Sequence, residues 1–352
     1  MQHWKNCLSL YSSKENRRVL WLFRKKRPLG NYSIENSFAE MHAEWKGISN
    51  PTFKEISTFS EGLLNRLRII GEAKSLKTDL VHITGDIHFA ALAWPKWRRN
   101  RPKVVLTIHD IGFLNDHKGI KRWLMRKVWI LWPLRCIDHL VTVSEATKQA
   151  VLKEATWFDP TKITVIPTVV PQHFKPRKKQ PSNPKPIALH IGLAENKNLK
   201  RHAEALDGLD VHLKIIGEPS PQDLALLERH NIDFSWQSKL TDEEMQEAYA
   251  TSDFLLFSST LEGFGMPIIE AQMVGLPVIT SDSDPMREVA GDAALLCDPF
   301  DTNSIRASIE EVIGNLEKRE DLIQKGFVNC NRYAPATSAA MLNELYERLL
   351  NP

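Results

Sequence analysis

Short apolar runs bounded by turn residues alternate along the chain with stretches whose apolar positions recur at helical spacing. In the first half the runs RVLWLF, LVHIT, KVVLTIHD, HLVTVS and KITVIP read as strands. A second series follows: IALHIG, VHLKIIG, IDFSWQ, DFLLFSS, LPVITS and AALLCD. Strands alternating with helices are the pattern of parallel α/β domains. Local signals mark helix starts. Ser144 after VTV is placed as the N-cap of a helix beginning EATKQAVL, and TDEE at 241–244 has the form of a capping box, with Thr241 and Glu244 reaching for each other's backbone. Between the two series, PQHFKPRKKQPSNPKP carries five prolines between 171 and 186, which predicts an extended linker and a domain boundary.

Composition fits this picture: 352 residues allow two cores, and 42% hydrophobic with 25% charged residues is the balance of a globular protein. Cys7, Cys136, Cys297 and Cys330 stand far apart, implying neither a zinc site nor a disulfide framework. A reducing cytoplasm is the expected compartment. No apolar segment followed by a small-residue cleavage site opens the chain, and none approaches the about 18 apolar residues of a membrane span. Charge changes the picture more. Residues 1–180 carry 32 Lys and Arg against 15 Asp and Glu, and residues 181–352 carry 14 against 28. The basic clusters are FRKKRP, KWRRNRPK and KGIKRWLMRKVWILWPLR. The last reads as a helix in which basic residues accompany Trp123, Trp129 and Trp132, suited either to an anionic bilayer surface or to a core-facing helix with a solvated basic side. Nucleic-acid binding would explain the first half but not the acidic second half, and no nucleic acid is expected.

Two successive doubly wound domains place ligands at the carboxyl ends of their strands, so the loops after strands matter most. One such loop is SSTLEGFGMPIIE, residues 258–270. Gly263 and Gly265 let backbone approach a ligand, and Pro267 suits a first helical turn whose N–H groups are otherwise unpaired. Outward amides at 263–268 would serve hydroxyl or phosphate oxygens, bracketed by Glu262 and Glu270. Vicinal sugar hydroxyls are natural donors to such carboxylates.

The run LTDEEMQEAYATSDFLLFSSTLEGFGMPIIEAQMVGLPVITSDSDPMREVAGDAALLCDPFD, residues 240–301, resembles the donor-binding region of retaining nucleotide-sugar glycosyltransferases of family 4. Its signature is two glutamates separated by seven residues in EGFGMPIIE, followed by the GLPVI segment. HIGLAENKNLKR, IIGE, LTIHDIGFL, VTVSEATK and VIPTVVPQHFKP fall in the family's usual order, so the resemblance extends across nearly the whole chain. It implies the GT-B architecture, two Rossmann-like doubly wound α/β domains of parallel sheet facing each other across a cleft. The expected division is an acceptor-side domain at 1–180 and a donor-binding domain at 181–334, with a terminal helix at about 335–352 packing back on the first.

By position, the resemblance implies that Glu270 holds the ribose hydroxyls of the donor nucleotide and that Glu262 lies beside the transferred sugar, with the amides of Gly263, Phe264 and Gly265. Lys197 matches the lysine that neutralises the donor diphosphate, where departure of the leaving group builds negative charge. The family commonly places an arginine just after the strand glycine. Gly192 is followed here by Leu193, and Lys200 or Arg201 would have to supply the charge. On the first domain, His109 at the end of VVLTIHD aligns with the histidine that contacts the donor sugar, while Asp110 beside it caps or orients. Gly30, Asn31 and Ser33 occupy the phosphate and acceptor loop, without the common Gly-Gly form. HITGDIHF at 82–89 is expected on the acceptor side.

The implied reaction moves a sugar from a nucleoside diphosphate to an acceptor hydroxyl with retention at the anomeric carbon, in cell-surface polysaccharide or lipopolysaccharide biosynthesis. The acceptor would be a glycan or lipid-linked, at the inner membrane face, with peripheral contact to anionic lipid. Asp282 and Asp284 in SDSDP mimic a metal-binding Asp-x-Asp, but they stand on a loop the resemblance already explains, and no metal or other cofactor is expected. Two alternatives remain: other chemistry on this architecture, such as a nucleotide-sugar epimerase or sugar phosphorylase, and nucleotide-sugar binding without turnover.

Overall fold

The computed structural model describes residues 17–25, 33–47, 50–115, 117–178 and 183–351. The chain divides into two compact units, one running to Val169 and including the segment from Pro335 onward, the other spanning Val170–Ala334. The change of unit thus falls about ten residues before the position predicted from the prolines. The reason is packing of the expected linker: Phe174 is buried with its ring edge-on to Tyr249 at 5.4 Å, and Arg177 donates to the Ser252 carbonyl at 2.9 Å.

The first unit is a six-stranded parallel sheet of β1 (Val19–Phe23), β2 (Thr52–Glu55), β3 (Leu80–Ile83), β4 (Lys103–Ile108), β5 (His139–Thr142) and β6 (Ile163–Val165), in the order β2-β1-β3-β4-β5-β6. Central strands are buried along their whole length, as β3 and β5 are, which is why they read as continuous apolar runs. The edge strand β2, TFKE, is mostly exposed and gives no such signal, so the apolar pattern missed it.

The helix Pro335–Leu350 belongs to this unit and is anchored by a buried polar chain. Trp21 Nε1 donates to the Tyr346 hydroxyl at 2.9 Å, and Tyr346 meets His82 Nδ1 at 2.5 Å. An indole N–H can only donate, so the hydroxyl proton goes to His82 Nδ1. His82 is then the Nε2–H tautomer and donates to Thr107 Oγ1 at 2.6 Å. Burial holds His82 neutral, its pKa lowered to about 3.

The second unit is a parallel sheet of β7 (Ile187–Ile191), β8 (His212–Ile216), β9 (Asp233–Gln237), β10 (Phe254–Phe257), β11 (Val278–Ser281) and β12 (Leu295–Cys297), ordered β12-β11-β10-β7-β8-β9. Strand order reverses between β7 and β10, the topological switch point at which such sheets bind ligands. The Thr241–Glu244 capping box forms in full, and Ser144 caps its helix by accepting from Thr147 N–H at 3.1 Å. Each such cap is worth about 1 kcal/mol.

Candidate functional site

The loops after β7 and β10 lie side by side at this switch point. They are stitched together by backbone: Thr260 N–H donates to the Asn196 carbonyl at 2.8 Å, and Asn196 Nδ2 returns a bond to the Leu261 carbonyl at 2.7 Å. Behind them, buried Asn198 sits in the left-handed region at φ +67° and bonds the carbonyls of Ser258 and Pro299. The result is that Lys197 Nζ and Glu262 Oε1 meet at 2.5 Å, with the ammonium 4.8 Å from the centre of the Phe257 ring. Both side chains are largely covered, so the pair is held rather than loosely associated. Gly192 at φ +84° makes room: a Cβ there would stand 3.2 Å from Lys197 Cε.

Gly265, at φ +102°, starts the helix Met266–Val274, with Pro267 in its first turn. The outward amides predicted at 263–268 are fewer in the structure. Pro267 has none, and Ile268 N–H donates to Gly265 O at 3.0 Å. The N–H groups of Phe264, Gly265 and Met266 meet no acceptor among the described residues. They form the positive end of the helix. The Phe264 side chain itself is core, edge-on to Tyr333 at 5.5 Å, so only its backbone is available to a ligand.

Glu270 lies one turn into this helix and accepts from the Tyr249 hydroxyl at 2.5 Å. Burial raises its pKa to about 7, although the Tyr249 bond pulls the other way. No sequence signal marks Tyr249 as its partner, because the pair joins two separate helices. Lys200 does not join the cluster: its side chain is mostly exposed and stands 4.0 Å from Glu204. Arg201 braces Asn198 Oδ1 at 3.0 Å and lies over the Phe300 ring. Leu193, where the family carries arginine, packs on the apolar core. Asp282 and Asp284 each pair with Arg287, at 3.1 and 3.0 Å. Among the described residues no group of three or more His, Cys, Asp or Glu side chains is arranged to hold a metal ion.

In the first unit, His109 follows β4 and its Nε2 meets the Thr84 carbonyl at 2.9 Å, while burial lowers its pKa. It helps line a small pocket with Ser37, His82, Thr107 and Thr168. Nearby, at the same carboxyl end of the sheet, Arg24 after β1 joins Glu35 at 3.2 Å and Asp86 after β3 at 3.3 Å. Sequence reading passed over this triad, whose members are far apart in the chain. Asp110 accepts from Gly112 N–H and shapes the turn. Gly30 and Asn31 lie outside the described residues, and the side chain of Ser33 does too.

Comparison with known proteins follows the same division. Residues 172–328 match the family described as glycosyl transferases group 1, and residues 39–173 match the one described as Glycosyltransferase Family 4. The O-antigen chain mannosyltransferase B of Escherichia coli is 34% identical over 93 residues, 26% of this chain and 24% of that protein. The O-antigen chain mannosyltransferase RfbU of Salmonella typhimurium is 28% identical over 229 residues, 62% of each chain. The chain therefore spans less than two thirds of the length of either relative. In fold it is similar to the Anabaena protein HepE, crystallised with UDP-glucose, at a TM-score of 0.75 and 15% identity, covering 94% of this chain and 99% of that one. Two parallel-sheet units, the ordered motif at the switch point and both family matches agree: the chain belongs to glycosyltransferase family 4 and has the GT-B fold.

Proposed function

We propose that this protein transfers a hexose from a nucleoside diphosphate sugar to an acceptor hydroxyl, with retention at the anomeric carbon, during synthesis of a cell-surface polysaccharide or lipopolysaccharide. The observation that carries this is the grouping at one switch point of a held cation, Lys197, a carboxylate, Glu262, and three amides at a helix start, with Glu270 one turn further in. The names of the mannosyltransferase relatives support the biosynthetic setting, and the UDP-glucose complex of a similarly folded protein supports the donor class.

Each part has a task in this reading. Glu270 accepts hydrogen bonds from ribose hydroxyls through the carboxylate edge that Tyr249 leaves open. The amides of Gly265 and Met266 receive oxygens of the diphosphate or sugar. Lys197 turns from Glu262 toward the diphosphate and stabilises the charge that develops as the bond from the anomeric carbon to phosphate oxygen breaks. The acceptor oxygen attacks from the same face, and its proton passes to the departing phosphate. Glu262, released from Lys197, positions the sugar hydroxyls. The phosphate charge is met by Lys197 and the helix amides, so no divalent ion is invoked. His109 is assigned to the transfer step, and the acceptor is a glycan or a lipid-linked saccharide at the cytoplasmic membrane face.

The test is incubation with hexose esters of each nucleoside diphosphate and saccharide acceptors, reading free nucleoside diphosphate and the product's anomeric configuration by NMR. Release with unchanged configuration is expected. An inverted product would contradict retention. Donor binding without release, over a broad acceptor panel, would instead favour a non-catalytic binding protein, a reading to which the apolar Leu193 lends some weight.

A further inference from the structure

Beneath the two loops of the second unit's switch point runs a buried polar chain that no step of the proposed transfer uses. His190 on β7, His202 on the helix Leu199–Leu206 and Ser258 just after β10 are all buried. His190 Nδ1 meets His202 Nδ1 at 2.9 Å, with the rings edge to face, and His202 Nε2 meets Ser258 Oγ at 2.6 Å. Burial holds both imidazoles neutral, so each carries one N–H. The contact between the rings needs one proton. If His202 supplies it, the Ser258 hydroxyl donates to His202 Nε2; if His190 supplies it, His202 Nε2–H donates to Ser258. His202 is bonded through both nitrogens in either case.

The same three elements bury Ala188, Leu199, Ala203 and Leu256 in apolar core, where polar groups are costly unless each is bonded. Asn198 and His202 stand one turn apart on one face of the helix, joined by the His202 N–H bond to the Asn198 carbonyl at 3.1 Å. Asn198 Nδ2 grips the Ser258 carbonyl at 2.9 Å and His202 meets its hydroxyl, so this face holds Ser258 at two points. Lys197 immediately precedes Asn198. Phe257 immediately precedes Ser258, and its ring centre lies 4.8 Å from the Lys197 ammonium. We infer that His202, acting through Ser258 and braced by His190, is a positioning residue that holds Lys197 over Phe257 and against Glu262. A leucine at 202 would fill the space, but a hydrogen bond also fixes distance and direction at Ser258. What Lys197 is positioned for rests on the proposed donor chemistry; that it is positioned does not.

The test reads Lys197 by NMR in the full chain, free of ligand and made with carbon-13-labelled lysine, the Cε–Hε cross-peak being assigned with Lys197→Arg. In the wild type the Phe257 ring should displace that cross-peak from those of exposed lysines. His202→Leu and Ser258→Ala should return it toward them. His202→Gln, whose amide nitrogen falls near the place of Nε2, should keep it displaced; His202→Asn, which reaches only the place of Nδ1, should not. Turnover should follow the cross-peak: kcat falls about tenfold in His202→Leu and Ser258→Ala, is restored in His202→Gln, and falls no further when His202→Leu is added to Lys197→Ala. Circular dichroism checks folding, with Ser258→Ala as the milder change. The inference fails if folded His202→Leu and Ser258→Ala leave the Lys197 cross-peak where the wild type has it. It also fails if His202→Leu costs as much turnover without Lys197 as with it. A wild-type chain that turns over no donor would overturn the proposed function instead, and the cross-peak would still decide this inference.

Discussion

Tyr249 donates its hydroxyl proton to Glu270 across 2.5 Å, a bond that favours the charged form of the carboxylate that the proposed donor would meet. Burial lifts the Glu270 pKa from 4.5 to about 7, so near neutral pH the empty site holds a mixture of acid and carboxylate. Only the carboxylate can accept from two ribose hydroxyls. Affinity for a nucleoside diphosphate sugar should therefore rise with pH through about 7, approaching tenfold per pH unit on the acid side, in calorimetric titrations. Glu270→Gln should flatten the profile. Tyr249→Phe should move its midpoint upward by about one pH unit, because the lost bond favoured the charged form. The empty protein should respond with the opposite sign. Glu270 contributes stability that is fully present below its unfolded pKa of 4.5 and is lost as pH rises through 7.

Lys197 touches Glu262 in the structure and is proposed to leave it for the diphosphate. Lys197→Ala should lower turnover by a factor of about 10² to 10³, read as nucleoside diphosphate released per unit time. Glu262→Gln frees the lysine without removing it. It should retain nucleotide binding while losing turnover, which separates positioning of the sugar from charge neutralisation.

Tyr346 closes the chain from Trp21 to His82 and Thr107. Tyr346→Phe would leave the Trp21 N–H and the His82 Nδ1 atom unsatisfied in the core, a cost of about 1–3 kcal/mol in denaturant unfolding. His82 also ties this unit to pH. With its folded pKa near 3 against 6.5 unfolded, its contribution to stability is full above pH 6.5 and is lost as pH falls toward 3.

Legibility in the sequence followed burial and locality. The apolar runs marked eleven strands, most of them buried; of the two mostly exposed edge strands, β9 still carries Phe234 and Trp236 and was read, whereas β2, TFKE, carries one apolar residue and stayed hidden. Caps at Ser144 and Thr241 were readable because a cap is a contact three residues long. The glutamates and glycines of residues 262–270 were readable as an ordered motif. Its companions were not: Phe257 beneath Lys197, Tyr249 on Glu270, and the Arg24, Glu35 and Asp86 triad arise only when segments separated in the chain meet.

The central claim is that the switch point of the second unit holds a nucleoside diphosphate through Glu270 and Lys197. A thermal-shift titration of the wild-type chain, Glu270→Ala and Lys197→Ala against the nucleoside diphosphates of each base tests it most directly. One nucleoside diphosphate should raise the wild-type Tm by several degrees, and the rise should shrink to near zero in both variants. A wild-type chain indifferent to every base, or variants that respond as fully as wild type, would contradict the account.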